Sequence, residues 1–205
     1  MTQSIQNKVL SIIHGHGKGW AFSQKDFVRI GSRKAIDIAL YRLRQEGKIR
    51  RVITGVYDYP KYSELLKQQL SPDFDQVAHA IARKNCWRIQ ACGDAALNLL
   101  GLSSQVPGTV VYLTDGPQKI INIGNLNIEF KKVSLKEMQV KYTFTSLTVQ
   151  ALKALGNENI DNEVISKIKK YWTSDQRLKM TKDAQFVTGW IYEYIRQICS
   201  EDINE

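Results

Sequence analysis

The chain has 205 residues, of which 43% are hydrophobic and 24% charged, and 29 Lys and Arg stand against 20 Asp and Glu for a net charge of +9. That length is enough to bury a substantial core, and the composition excludes a mostly disordered chain, a collagen-like repeat and a disulfide-framed miniprotein. No run approaches the ~18 consecutive apolar residues of a membrane-spanning helix.

Ile5, Val9, Ile12 and Ile13 recur at helical spacing and predict a first helix over about Ser4–His14. The stretch His14-Gly15-His16-Gly17-Lys18-Gly19 ends it. Ser23 reads as an N-cap with Asp26 three residues on, opening a second helix to about Ile30. Gly31 breaks the chain, Ser32 caps a third helix from Arg33 to about Glu46, and Gly47 stops it. Helix, short glycine-containing turn and helix form a helix-turn-helix pattern. Lys48–Tyr57 then reads as a β-hairpin turning at Thr54-Gly55, the wing of a winged helix.

At about 100° per residue, Ile36, Ala39, Leu40 and Leu43 share the core side of the third helix. Lys34, Ile38, Tyr41 and Gln45 point the opposite way, flanked by Arg33, Asp37 and Arg44. Cations mixed with a Tyr and an Ile suit a recognition helix in a major groove. Lys or Arg can bond guanine O6 and N7, and an apolar side chain can touch a thymine methyl. Ser32, Arg33 and Lys34 in the first turn are expected nearest the bases. Asp37 would accept from a cytosine amine or orient Arg33 or Tyr41. Arg50 and Arg51 on the wing are the expected phosphate contacts, and Lys18 in the glycine-rich loop is a further one.

Charge supports the same partner. Residues 1–61 hold 12 basic and four acidic residues, a balance of +8, and residues 62–205 a balance of +1. Such concentration marks a domain that meets a polyanion. A membrane surface is the competing polyanion, but it calls for a basic amphipathic helix with an aromatic or Leu face. A winged helix used for protein contact, its charges merely solvated, is the other alternative.

The remainder, residues 63–205, predicts an α+β domain. A short helix is expected at Ser63–Gln69, a helix from Asp73 to about Lys84, and an extended piece at Cys86–Gln90. A helix over Asp94–Leu100 and a strand over Thr109–Thr114 come next. A hairpin of Lys119–Ile123 and Leu126–Lys131 turns at Gly124-Asn125. The tail is helical, over Leu147–Leu155, Asn162–Trp172 and about Asp183–Cys199. The expected fold class is thus α+β: a winged helix-turn-helix over residues 1–62, then a mixed α+β domain ending in helices.

Residues 1–8 lack the charged start and apolar core of a signal peptide, so a cytoplasmic location is expected. Cys86, Cys92 and Cys199 are then expected as reduced thiols, a Cys86–Cys92 disulfide not being indicated in a reducing compartment. His14-x-His16 has no nearby third ligand, so no metal and no cofactor is expected. Gly31-Ser32 with Asp73-Phe74-Asp75 resembles the metal-holding pieces of a nucleotidyltransferase, but these sit about forty residues apart. Helix caps and first-turn carboxylates explain them without chemistry, and no catalytic residue is assigned. Trp190, Tyr192 and Tyr194 are a candidate partner surface, and Lys167, Lys169 and Lys170 a solvated face.

Several longer strings carry a family resemblance. They are Gly15-His16-Gly17-Lys18-Gly19-Trp20-Ala21-Phe22-Ser23, Gly31-Ser32-Arg33, Ala39-Leu40-x-Arg42-Leu43, Gly47-x-Ile49-Arg50-Arg51 and Gly55-Val56-Tyr57-Asp58-Tyr59-Pro60. Gly93-Asp94-Ala95-Ala96 with Leu99-Leu100-Gly101-Leu102-Ser103, Gln105-Val106-Pro107 and Tyr112-Leu113-Thr114-Asp115-Gly116 extend the match. Over about residues 4–135 the chain resembles the AbiEi family of abortive-infection antitoxins. Cys86 and Cys92 depart from that pattern. The resemblance implies a non-enzymatic type IV toxin–antitoxin partner in phage defence. The winged helix would bind inverted repeats in its own promoter and repress the operon, and the second domain would counter a nucleotidyltransferase-type toxin, without needing a stable complex. The alternative is a transcriptional regulator whose second domain senses a ligand or partner, with no toxin.

Overall fold

A computed structural model describes residues 4–105, 107–134 and 137–200. The chain divides into two compact units, residues 1–88 and 89–205. Its class is α+β, with an N-terminal winged helix and a mixed second unit ending in helices. No helix among the described residues is long and apolar enough to cross a membrane.

The first unit opens with α1 (Ile5–His16), whose Val9 and Ile13 are fully buried and whose Ser4 hydroxyl accepts from Asn7 N at 3.2 Å. Gly17, at φ +86°, ends it. Strand β1 (Ala21–Phe22) leads into a 3₁₀ turn over Gln24–Phe27, then α2 (Arg33–Gln45), β2 (Arg50–Ile53) and β3 (Val56–Asp58). The three strands order β1-β3-β2, all antiparallel. Helix, strand, turn, helix and two-stranded wing in this order make a winged helix. Ile36, Leu40 and Leu43 of α2 close its core against Val9, Ile13, Phe22 and Phe27.

The expected helix over residues 23–30 is only this 3₁₀ turn. Ser23 and Asp26 do form the capping box. Phe27 alone is fully buried there while Val28 is exposed, so an α-helix ending before Gly31 would be too short and too poorly packed to repay nucleation.

Beyond the wing, the expected helix at 63–69 is instead a hairpin of β4 (Tyr62–Ser63) and β5 (Gln68–Gln69). Leu65 and Leu66 are exposed, so a helix there would have no apolar face to bury. The Ser63 hydroxyl accepts from Leu66 N at 3.2 Å and turns the chain. Helix α3 (Phe74–Asn85) follows, capped by Asp73, which accepts from Gln76 N at 3.1 Å. It packs on β1, the 3₁₀ turn and β3, burying Val77, Ala78 and Ile81. The sequence suggests a division at residue 62, whereas α3 extends the first unit to Arg88.

In the second unit, β6 (Ile89–Cys92), α4 (Asp94–Leu99), β7 (Thr109–Thr114), β8 (Lys119–Ile123) and β9 (Leu126–Lys132) form a helix and a four-stranded sheet ordered β6-β7-β9-β8. Strands β7 and β9 run parallel and the other pairs antiparallel. Helices α5 (Thr143–Leu155), α6 (Asn162–Tyr171), α7 (Ser174–Asp183) and α8 (Gly189–Cys199) complete it. Their core gathers Leu147, Leu152, Ile168, Met180, Ile191 and Ile195.

The helix expected near 183–199 is α8, which starts later, at Gly189, and α7 over Ser174–Asp183 is an additional helix that the sequence reading does not contain. Trp190, Tyr192 and Tyr194 lie half-buried against the core, and the Tyr194 hydroxyl donates to Asn157 O at 3.2 Å. All three cysteines are free thiols. Burial pushes the Cys92 and Cys199 thiols above their ordinary pKa.

Candidate nucleic-acid interface

Helix α2 sorts its residues by face. Its four buried side chains, Ile36, Ala39, Leu40 and Leu43, anchor one side. The opposite side is open: Arg33, Lys34, Asp37, Ile38 and Tyr41 line a shallow depression, with Ile38 44% and Tyr41 58% exposed. Arg44 continues this exposed side one turn on. The side chains of Arg33, Lys34, Asp37 and Arg44 make no hydrogen bond or ion pair among the described residues, so Asp37 orients neither Arg33 nor Tyr41. The Ser32 hydroxyl caps the helix, accepting from Ala35 N at 3.4 Å, and stays exposed beside Arg33. Thirteen residues make a rod of about 20 Å, and its outer face mixes uncommitted cations with exposed apolar surface.

The wing separates the two arginines that sequence treats alike. Arg50 donates through Nε to Asp58 Oδ1 at 3.0 Å, through Nη2 to Asp58 Oδ2, and through Nη1 to Leu70 O at 2.9 Å. Asp58 is 1% exposed, so this guanidinium neutralises a buried carboxylate. Arg51 is exposed, its Nη2 donating to Thr54 Oγ1 at 2.9 Å, and remains the wing's outward cation.

A basic residue that the sequence places outside the winged helix joins the wing. Lys84 of α3 donates through Nζ to Thr54 O at 2.9 Å, at the hairpin turn. Its neighbour Arg83 bonds Asp26 Oδ1 at 2.7 Å and Ala21 O at 2.8 Å, tying α3 to the winged helix. Only the Arg83-Lys84 pair in the helix's last turn signalled this in sequence, and without the contact to Thr54 it reads as an ordinary C-terminal turn.

Lys18 is exposed on the loop after α1. That loop is held down: Gly19 N donates to Tyr59 O at 2.6 Å, and His16 stacks on Trp20 at 3.8 Å between ring centroids. His14 lies 5.4 Å from the Tyr59 ring. His16 therefore serves as a stacking group, and His14 packs tilted beside Tyr59. Among the described residues no cluster of three His, Cys, Asp or Glu is arranged to hold a metal. Asp73 caps α3, and Asp75 lies 3.6 Å from His79.

Charge follows the structural division more sharply than the sequence boundary at 61. Residues 1–88 carry 16 basic and 7 acidic residues, a net +9, and residues 89–205 carry 13 of each. The entire formal excess sits on the winged-helix unit.

A family model of unknown function, DUF6088, matches residues 8–180. The chain belongs to the DUF6088 family. No curated protein matches the sequence. Among solved structures, the crystal structure of the RV2827C protein from Mycobacterium tuberculosis is similar at 11% identity. The alignment covers 97% of this chain and 77% of that one, with a TM-score of 0.42.

Proposed function

We propose that this DUF6088 chain is a DNA-binding antitoxin that represses its own operon through the winged helix. The observation that carries the DNA-binding part is the outer face of α2, where Arg33, Lys34 and Arg44 are uncommitted beside exposed Ile38 and Tyr41. An unpaired guanidinium or ammonium on a protruding helix is the group that bonds a guanine edge in the major groove, and Ile38 suits a thymine methyl. Ser32, Asp37 and Tyr41 would complete the base-facing set. Arg51, Lys84 and Lys18 would hold phosphates, which positions the domain without reading sequence. The +9 charge of this unit favours a polyanion of either kind, and the helix face favours duplex DNA over a lipid surface.

The antitoxin part rests on the motif strings shared with the AbiEi family. In that reading the partner DNA is the chain's own promoter, with inverted repeats. The second unit counters a nucleotidyltransferase-type toxin encoded next door, no catalytic residue is involved, and the protein works in the cytoplasm.

Growth of cells expressing the adjacent gene, alone and with this chain, tests the antitoxin part. Toxicity relieved by co-expression is the expected result. A harmless neighbour, or harm without rescue, would leave a DNA-binding regulator and overturn the antitoxin reading.

A further inference from the structure

A cavity of about 130 Å³ opens within the second unit, lined by β6, α5 and the segment joining α7 to α8. Two amide side chains lie in it, Gln90 from β6 and Gln150 from α5, 8% and 6% exposed. They meet at a long 3.5 Å, Gln150 Nε2 donating to Gln90 Oε1, and make no other side-chain hydrogen bond among the described residues. Neither amide belongs to the fully occluded polar atoms that lack a partner. Gln90 Nε2 and Gln150 Oε1 therefore face the cavity, a donor and an acceptor side by side and both unused. Buried amides are ordinarily satisfied, so this pair is poised for a ligand.

The rest of the lining narrows the ligand's chemistry. Glu137, Asp183 and Lys153 are the charged residues of the lining, two carboxylates against one ammonium. Glu137 Oε1 accepts from the Ser134 hydroxyl at 2.9 Å, and Asp183 accepts from the backbone N–H groups of Lys141 and Tyr142. Phe186 is 84% exposed where it lines the cavity, so its ring presents a face that the core does not use.

We propose that this cavity binds a nucleobase, presented as the nucleoside. A cavity of about 150 Å³ can hold benzene, so one of about 130 Å³ has room for a flat ring. Each nucleobase carries a donor and an acceptor on one edge, the complement of the free amide pair, and side-chain amides read such edges bidentately. Phe186 offers a stacking face for a base. Glu137 and Asp183 can accept from sugar hydroxyls, and against the single cation Lys153 they leave the lining net negative, which disfavours a phosphate and favours a nucleoside over its nucleotide. The site lies wholly in the second unit and does not depend on the DNA-binding reading.

Calorimetric titration of the full chain with adenosine, guanosine, cytidine and uridine, and with their monophosphates, tests it. One nucleoside is expected to bind saturably at a single site, with its monophosphate about tenfold weaker. Gln90→Met or Gln150→Met, each close in size, should abolish binding. Phe186→Ala, at a position the core does not use, should weaken it about tenfold while the thermal midpoint without ligand stays unchanged. No heat from any nucleoside, a monophosphate that binds more tightly than its nucleoside, or binding unaltered by Phe186→Ala and Gln150→Met would overturn the proposal.

Discussion

Arg50 and Asp58 lie directly opposite each other on β2 and β3, and the guanidinium holds the buried carboxylate through two nitrogens. A third nitrogen reaches Leu70 O, so one side chain fastens the wing to the hairpin segment beyond it. Truncating Arg50 strands an unpaired charge at a site only 1% exposed. Arg50→Ala should therefore cost about 3–5 kcal/mol of stability, read from the urea midpoint, while Arg50→Met with Asp58→Leu should recover most of it. A loss within about 0.5 kcal/mol for Arg50→Ala would show that the pair does not secure the wing.

Arg33 and Lys34 stand free at the start of α2, so their loss should leave stability unchanged and fall on binding alone. Arg33→Ala or Lys34→Ala should each cost roughly 1–3 kcal/mol on the cognate site and much less on random DNA, measured by fluorescence anisotropy. Equal losses on both DNAs would demote this face to backbone contact.

Arg51 and Lys84 approach the same turn from two elements, both bonded to Thr54. As phosphate contacts they should act without regard to sequence. Arg51→Ala and Lys84→Ala should weaken cognate and random DNA alike and lower the slope of log K against log salt by about one each. An unchanged slope for Lys84→Ala would confine that residue to bracing the wing.

These residues also show how far the sequence could be read. The face of α2 was legible because Ile36, Leu40 and Leu43 recur at helical spacing, which fixes what must point outward. Strands β7, β8 and β9 were legible from β-rich runs broken at Gly124-Asn125. The role of Arg50 was not. A two-residue turn at Thr54-Gly55 would by simple counting set Arg51 opposite Asp58. An irregularity between Arg51 and Ile53 shifts the register, so Arg50 faces the buried acid and Arg51 faces solvent. Helix α7 escaped because Ser174–Asp183 buries Met180 alone, leaving no apolar period to find. Its remaining signal was the Thr173 and Gln176 capping box. The link between α3 and the wing depends on Lys84 and Arg83 meeting residues 30 and 57 positions earlier, which local spacing cannot show.

The three thiols should separate by reactivity. Burial raises the pKa of Cys92 and Cys199, which lowers their thiolate fraction at neutral pH as well as their access to reagent. Cys86 is exposed at the end of α3. A short iodoacetamide pulse at pH near 7, read by peptide mass spectrometry, should label Cys86 first, with Cys92 and Cys199 following only on denaturation. Equal labelling of all three in the folded chain would contradict the packing of β6 and α8.

The central claim is that the winged helix reads DNA through the outer face of α2. Footprinting of the full chain on the segment upstream of its own gene tests it most directly, with the Arg33→Ala and Lys34→Ala double variant alongside. Protection confined to an inverted repeat, surviving excess random DNA and lost in the double variant, is the expected result. Protection spread evenly along the segment, or left intact by the double variant, would contradict it.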